Sequence, residues 1–405
     1  MVTDTWVQGT RAEDQAAFRT GTAPFQRELR FQGRDGPHSC AFPGILAPVG
    51  TPSMDEFLSG AAQLVTQPPN ASGDESFLRK QLTAAGGAIQ FKNTPLRSAE
   101  DFSKFMHVLG KGARWTHHVD KGLMVLRRPF AENVATANEG PPDMEIGSHN
   151  EYGLSSHFPA YIAFFCVSEA DEGGATPIAS SFELRERLED TPGLLDTITQ
   201  EGVTFSIHHP RSNIQGNLQG NSVFAANAFG PADGDVSTAT EEEKRGAVEA
   251  NVAALAAEGG WRPGLNATEP VWKRRGFSAH WQEDGSMIVK QRVPGVRPHP
   301  IFGIATYFNN IHNRIHYAEL YEAQKAAADE RATLQQLRPE ISTEDGDVPF
   351  PQEWTEAIKR TTAELQVDVT WNKGDVLLLD NLAVQHGRRT WTGDRRLLAS
   401  LWDVA

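Results

Sequence analysis

The chain has 405 residues, 39 % hydrophobic and 22 % charged, the balance of a globular protein. Its net charge of −14 disfavours nucleic acid or an anionic membrane as a nonspecific partner, and no apolar run is long enough to span a bilayer. Two cysteines, Cys40 and Cys166, are too few for a disulfide framework, and the N-terminus lacks the apolar core of a signal peptide, so a cytoplasmic location is expected.

In chain order, residues 1–50 are rich in Gly, Pro and Arg and predict an irregular arm. Ser53 and Glu56 have capping-box spacing and open a helix running to Val65. A second helix is expected from Glu75 to Ala85, ended by Gly86-Gly87, and then a short strand from Ala88 to Phe91. Ser98 and Asp101 start a third helix that carries Phe102, Phe105, Met106 and Leu109 on one face and stops at Gly110. Strands are predicted at Leu123–Leu126, Tyr161–Val167 and Ile301–Phe308, a hairpin at Trp281–Val289 and a long polar helix at His312–Leu337. Near the C-terminus, Val376–Leu379 reads as a buried strand and Arg396–Trp402 as another, with Arg396, Leu398, Ser400 and Trp402 on one face. Strands at both ends with helices between predict a single domain over 1–405. It is a mainly β sandwich with helical insertions at 183–280 and 310–366, the latter supplying a lid.

His149-Asn150-Glu151 sets an imidazole and a carboxylate two residues apart, and in extended backbone both point the same way. A distant histidine, with His386 the natural choice, completes two histidines and one carboxylate on one face of a metal ion. Three coordination positions then stay open, the arrangement of non-haem Fe(II) oxygenases. Among thirteen histidines, one His-x-Glu arises often by chance, so the motif alone does not settle the chemistry. His312 and His316 lie one helical turn apart but lack the glutamate of a zinc-protease motif, and read as surface or lid residues. The pairs His117-His118 and His208-His209 point their side chains apart in extended backbone.

Order and surroundings add to this. The stretches GAIQF, SAEDFSKFMHVLG, NVATANEGPPDMEIGSHNE, HFPAYIAFFCVSEADEGGATPIASS, HPIFGIATYFNNI and WNKGDVLLLDNLAVQHGRRTWTGDRRLLASL follow one another from Gly86 to Leu401. In that order the chain resembles the taurine dioxygenase/TfdA superfamily of Fe(II)- and 2-oxoglutarate-dependent oxygenases, especially its SyrP-like and clavaminate-synthase-like branch. The resemblance implies a double-stranded β-helix, or jelly roll, with His149, Glu151 and His386 as iron ligands. It implies Arg396 as the clamp on the remote carboxylate of 2-oxoglutarate, with Arg395 as the alternative one residue away, and Thr176 as its hydroxyl partner. An Arg fork and a hydroxyl suit such a carboxylate. Glu151 keeps the carboxylate that related halogenases replace, and Ser400 stands where taurine dioxygenase has a second arginine for the sulfonate.

The resemblance thus leads to the expectation of an enzyme using Fe(II), 2-oxoglutarate and O2 to oxidise an unactivated C–H bond, by hydroxylation or by desaturation or cyclisation, with release of succinate and CO2. The expected substrate is an amino-acid-derived or specialised-metabolite small molecule, free or tethered to a carrier protein. Leu398, Ser400 and Trp402 are expected to line its pocket, with Tyr152 and Asn309 as further contacts. A jelly-roll metalloenzyme without 2-oxoglutarate and a non-catalytic metal-stabilised binding protein are the alternatives, and Arg396 and Thr176 argue against the first. Oligomeric state is not legible.

Overall fold

Alternate residues of the apolar runs enter two different cores, and this places the site. The computed structural model describes residues 17–68, 76–137, 140–216, 219–231, 239–259, 276–343 and 345–404. Its largest sheet has nine strands, with Val376–Asp380, Tyr161–Ser168 and Arg396–Val404 side by side at the centre. All three are buried on both faces, which is why they read as continuous apolar runs rather than as alternating ones. Phe165, Val376, Leu378, Leu398 and Trp402 pack outward on helices Met54–Leu64 and Ala99–Ala113. Ile162, Phe164, Leu377, Leu379, Leu397, Ala399 and Leu401 pack inward, against a second sheet.

That second sheet has four strands in the order Val367–Val369, Thr176–Ser180, Val384–Arg388, Ile146–His149. Ile178, Val384, Val367 and Val369 give its half of the shared core. The C-terminal segment expected to be two strands therefore holds four, adding Val384–Arg388 and the two-residue Trp391–Thr392. The longer addition, VQHGR, escapes a reading by hydrophobicity because its buried side chains include Gln385, His386 and Arg388.

Both expected N-terminal capping boxes are present, at Ser53 with Glu56 and at Ser98 with Asp101. Gly110 does not end its helix, which runs on to Ala113 with Arg114 in the left-handed region. Gly110 instead meets the Trp402 indole, 2.6 Å from where a Cβ would sit, so the glycine serves close packing.

The structure departs from other expectations too. The described part of the N-terminal arm is not irregular: Phe18–Gly21, Arg27–Gly33, Gly36–Phe42 and Gly44–Pro48 are strands. The first and last of these extend the largest sheet, while the middle two form a ribbon whose Leu29 and Phe31 complete the inner core. Residues 1–16 lie outside the described residues. The insertions are not only helical, since Val203–His209, Phe277–Trp281, Glu340–Thr343 and Gly346–Pro349 join Met287–Val293 in a separate five-stranded sheet, in which the expected hairpin pairs Trp281 with Met287. Leu123–Leu126 is no strand: Leu123 and Met124 are buried, but their backbone bonds to Asn227 and Asn221 of a loop. Of Ile301–Phe308 only Ala305–Thr306 is strand, because Gly303, at φ +65°, turns the chain just before it. The long polar helix spans Ile311–Ala326 and stops well short of Leu337. No helix among the described residues is long and apolar enough to cross a membrane.

Candidate metal centre

His149 ends the edge strand of the four-stranded sheet, and His386 lies directly opposite it in backbone register on the neighbouring strand. Cross-strand pairing thus sets the two rings side by side, tilted at 50° with centroids 4.4 Å apart. Glu151 does not reach them by strand alternation as expected. The strand ends at His149, the chain turns, and Tyr152 takes φ +55°, so the carboxylate is delivered by a turn. The donor atoms of His149, Glu151 and His386 lie within 4.8 Å of one another. Glu151 Oε2 stands 3.9 Å from His149 Nε2 and 3.3 Å from His386 Nε2. Ligands bound to one ion at about 2.0–2.2 Å sit roughly 3 Å apart, so these side chains fit a divalent ion with only small shifts.

The protonation states also suit a metal. His149 Nδ1–H donates to the Gly147 carbonyl at 2.9 Å, leaving the Nε2 lone pair directed at the cluster. Burial, with His386 beside it, pushes the His149 pKa down to about 4, so the ring is neutral at ordinary pH. Burial alone would raise the Glu151 pKa, but Arg127, then His386 and His149, hold it well below the usual carboxylate range. Arg127 Nη2 donates to Glu151 Oε1, the oxygen turned away from the histidines. Arg127 had not been singled out in the sequence; the pair Arg127-Arg128 lies in a segment without periodicity, and nothing local marks one of the two as buried.

A buried amide network holds the turn. Asn381 Oδ1 accepts from the Glu151 amide at 2.7 Å, and its Nδ2 donates to the Glu151 and Pro159 carbonyls. Asn150 donates to the Asn381 carbonyl, while its own Oδ1 accepts from Gln385 Nε2 and the Asn309 amide. Asn309 is thus a structural hydrogen bonder: its side chain binds Gly295 and Ile311, and it does not line the cavity. Helix Ile311–Ala326 is fastened to the His149 strand, with Ser148 N donating to His312 Nδ1 and Asn313 donating to the Gly147 carbonyl. In this position the segment expected to supply a lid forms a wall through Asn310, Asn313 and Tyr317, and His312 is half-buried against the His149 strand rather than exposed.

The triad opens on a cavity of about 160 Å³. Thr176, Tyr152, Arg395 and Arg396 all line it; Leu398, Ser400 and Trp402 do not. These three share the Arg396 face as expected, but that face is the outer one, turned to the helices. Trp402 Nε1 donates to Ser400 Oγ within that layer. The inward parity belongs to Leu397, Ala399 and Leu401, and therefore to Arg395. Arg395 Nε donates to the Gly174 carbonyl at 2.8 Å and its guanidinium stacks 5.3 Å from the Trp391 ring centre. A Cβ on Gly174, at φ +71°, would sit 2.7 Å from Arg395 Cδ, so the double glycine makes room for this arginine. Arg396 instead has a side chain 52 % exposed, its contact a 3.5 Å approach to Asp394. A register shift opposite Ser168 accompanies this re-aiming at the strand's start. Thr176 Oγ1 accepts from the buried Trp371 indole at 3.0 Å, which fixes the hydroxyl at the cavity wall.

Comparison with known proteins identifies the family of the chain. Residues 51–402 match the model of the taurine catabolism dioxygenase TauD, TfdA family. A clavaminate synthase-like protein of Arabidopsis thaliana is 27 % identical over 317 residues, 78 % of this chain and 81 % of that one. The dapdiamide synthesis protein DdaC of Enterobacter agglomerans is 23 % identical over 338 residues, 82 % of this chain and 88 % of its own. Among solved structures, PvcB, described as an Fe, alpha-ketoglutarate dependent oxygenase from an isonitrile synthetic pathway, aligns over 95 % of this chain and 94 % of its own. Its identity is 11 % and its TM-score 0.41. A taurine dioxygenase of Burkholderia xenovorans aligns over 94 % and 90 %, at 12 % identity and TM-score 0.41. With the family model matched along most of its length, the chain belongs to the TauD/TfdA family and is a dioxygenase that works with Fe(II), 2-oxoglutarate and O2.

Proposed function

We propose that His149, Glu151 and His386 hold the iron, and that the enzyme oxidises an unactivated C–H bond of an amino-acid-derived or specialised-metabolite small molecule. The observation that carries this is the meeting of three donor atoms within 4.8 Å at the wall of a cavity that Thr176 and Arg395 also line. The two sheets sharing one core are read as the jelly roll, or double-stranded β-helix, of the family, in one domain. Family membership sets aside the alternatives without 2-oxoglutarate or without catalysis.

When bound, Fe(II) with 2-oxoglutarate and O2 supplies the oxidising power, and succinate and CO2 are the by-products. The protein's part is geometry and charge. Arg395, not Arg396, is the clamp on the remote carboxylate of 2-oxoglutarate, with the Thr176 hydroxyl beside it. Burial lowers the Arg395 pKa only to about 10, so the guanidinium keeps its charge at neutral pH. The Trp391 ring lies under it, 5.3 Å from the guanidinium carbon, and limits its motion. Phe164 sets an edge 5.0 Å from the His386 ring and keeps water from that side. Leu123, Met124 and Tyr152 form the wall assigned to substrate. Hydroxylation is the simplest outcome. A relative that takes part in dapdiamide synthesis favours a specialised-metabolite substrate. The two free thiols, both with pKa raised to about 12 by burial, suit the reducing cytoplasm proposed for the chain.

The test is anaerobic Fe(II) binding followed by oxygen uptake. One Fe(II) per chain and 2-oxoglutarate-dependent O2 consumption with succinate release are expected, both lost in His386→Ala. Oxygen uptake undiminished in that variant would overturn the assignment.

A further inference from the structure

Four guanidiniums line the cavity, those of Arg127, Arg388, Arg395 and Arg396, and among the described lining residues Glu151 is the one carboxylate. In a chain of net charge −14 this local excess runs against composition, so it calls for anionic ligands. Resting on the function proposed above, the charges can be assigned in turn. The iron and the doubly charged 2-oxoglutarate cancel, Glu151 is a ligand, and Arg395 faces the remote carboxylate. Arg388 is committed to the fold, its amino groups donating to the carbonyls of Gly140, Pro141 and Met144.

Arg127 remains. It is buried with Glu151, its side chain 6 % exposed, and only Nη2 is engaged. Its Nε and Nη1 are buried without a hydrogen-bond partner. Donors of a charged group left so are costly, and natural proteins keep them where a ligand or water completes the set. The nearby acid, Asp120, already accepts from the Tyr152 hydroxyl at 2.9 Å and makes no ion pair with Arg127 within 4 Å. Leu123 and Met124 lie on the same cavity wall and offer apolar contact.

We propose that Arg127 binds an anionic group of the substrate, in the simplest case a carboxylate, with the guanidinium hydrogens that Glu151 leaves free. The substrate is then a small acid with its carboxylate close to the iron and an apolar portion against Leu123 and Met124. This favours a free acid over a carrier-bound thioester, in which that carboxylate would be consumed. Arg127 also positions Glu151, so a variant must be read with two measurements.

The experiment uses the full chain, anaerobic, with Fe(II) and saturating 2-oxoglutarate so that the Arg395 site is filled. Butanoate and hexanoate are titrated by calorimetry, with butanamide and hexanamide as neutral matches, into wild type, Arg127→Lys and Arg127→Gln. The visible iron–2-oxoglutarate band is followed throughout. The acids are expected to bind wild type and the amides not. Acid binding falls at least tenfold in Arg127→Gln and is partly kept in Arg127→Lys. Acid and amide binding alike, neither binding, or Arg127→Gln binding acids as wild type does would each overturn the proposal. If Arg127→Gln loses the band by freeing Glu151, the acid–amide comparison in wild type decides alone. A missing band in wild type would instead count against the iron site itself.

Discussion

Arg395 and Arg396 are neighbours of the same type, and the fold treats them oppositely. Both reach the cavity, but one lies on the inward parity of its strand with its guanidinium over Trp391, while the other is half exposed beside Asp394. A charge-assisted hydrogen bond contributes about 1.5–3 kcal/mol, so Arg395→Ala should raise the KM for 2-oxoglutarate roughly 10- to 100-fold. Arg396→Ala, losing an exposed charge, should change it by no more than about threefold. Oxygen uptake against 2-oxoglutarate concentration checks both, and the reverse ranking would restore Arg396 as the clamp. The sequence could not separate them: Leu397 to Trp402 is buried on both faces, so period two says which residues travel together but not which way they point. His149, Glu151 and His386 were more legible, since residue type and order limit the combinations. Arg127 was not, because only the turn at Glu151 brings it there.

At the level of elements, the face carrying Leu398, Ser400 and Trp402 belongs to packing. Trp402 lies 2 % exposed against Gly110, its ring edge-on to His107 and His117. Trp402→Ala should therefore cost about 3–5 kcal/mol of stability. Denaturant unfolding should show that loss while the 2-oxoglutarate KM stays at its wild-type value. A raised KM with stability intact would return Trp402 to the pocket. Asn381 is the converse, polar and buried for the sake of the site. Asn381→Ala strands the Glu151 amide and two carbonyls, each about 1–3 kcal/mol if unsatisfied. It should lower both the unfolding midpoint and Fe(II) affinity, the latter measured by anaerobic titration. The central strands were legible as apolar runs, and the two capped helices by their Ser-x-x-acid starts. The strand VQHGR was not, because a strand that faces a polar cavity loses its hydrophobic signature.

Across the whole molecule, buried neutral histidines couple stability to pH. Burial, with His208 and Arg314 nearby, lowers the His209 pKa from 6.5 to about 3, and burial likewise takes His312 to about 3. Between those values and 6.5 the unfolded chain binds protons that the folded one refuses, so stability is full above about pH 6.5 and declines as pH falls. Unfolding midpoints of the metal-free protein should drop from pH 7.5 to pH 5, and drop less in His209→Asn. Of the five-stranded sheet holding His209 only the hairpin at Trp281–Val289 is legible in the sequence, because the other strands alternate with acidic helices and pair over long separations, such as Val203 with Ile341. Local periodicity carries no trace of such pairing.

The central claim is that one ion held by His149, Glu151 and His386 presents 2-oxoglutarate to Arg395. An anaerobic visible spectrum of the protein given Fe(II) and then 2-oxoglutarate tests it most directly, with His149→Ala and Arg395→Ala alongside. The account predicts a charge-transfer band in wild type, none in the histidine variant, and a band reached only at much higher 2-oxoglutarate in the arginine variant. A folded, iron-loaded wild type without the band would contradict it.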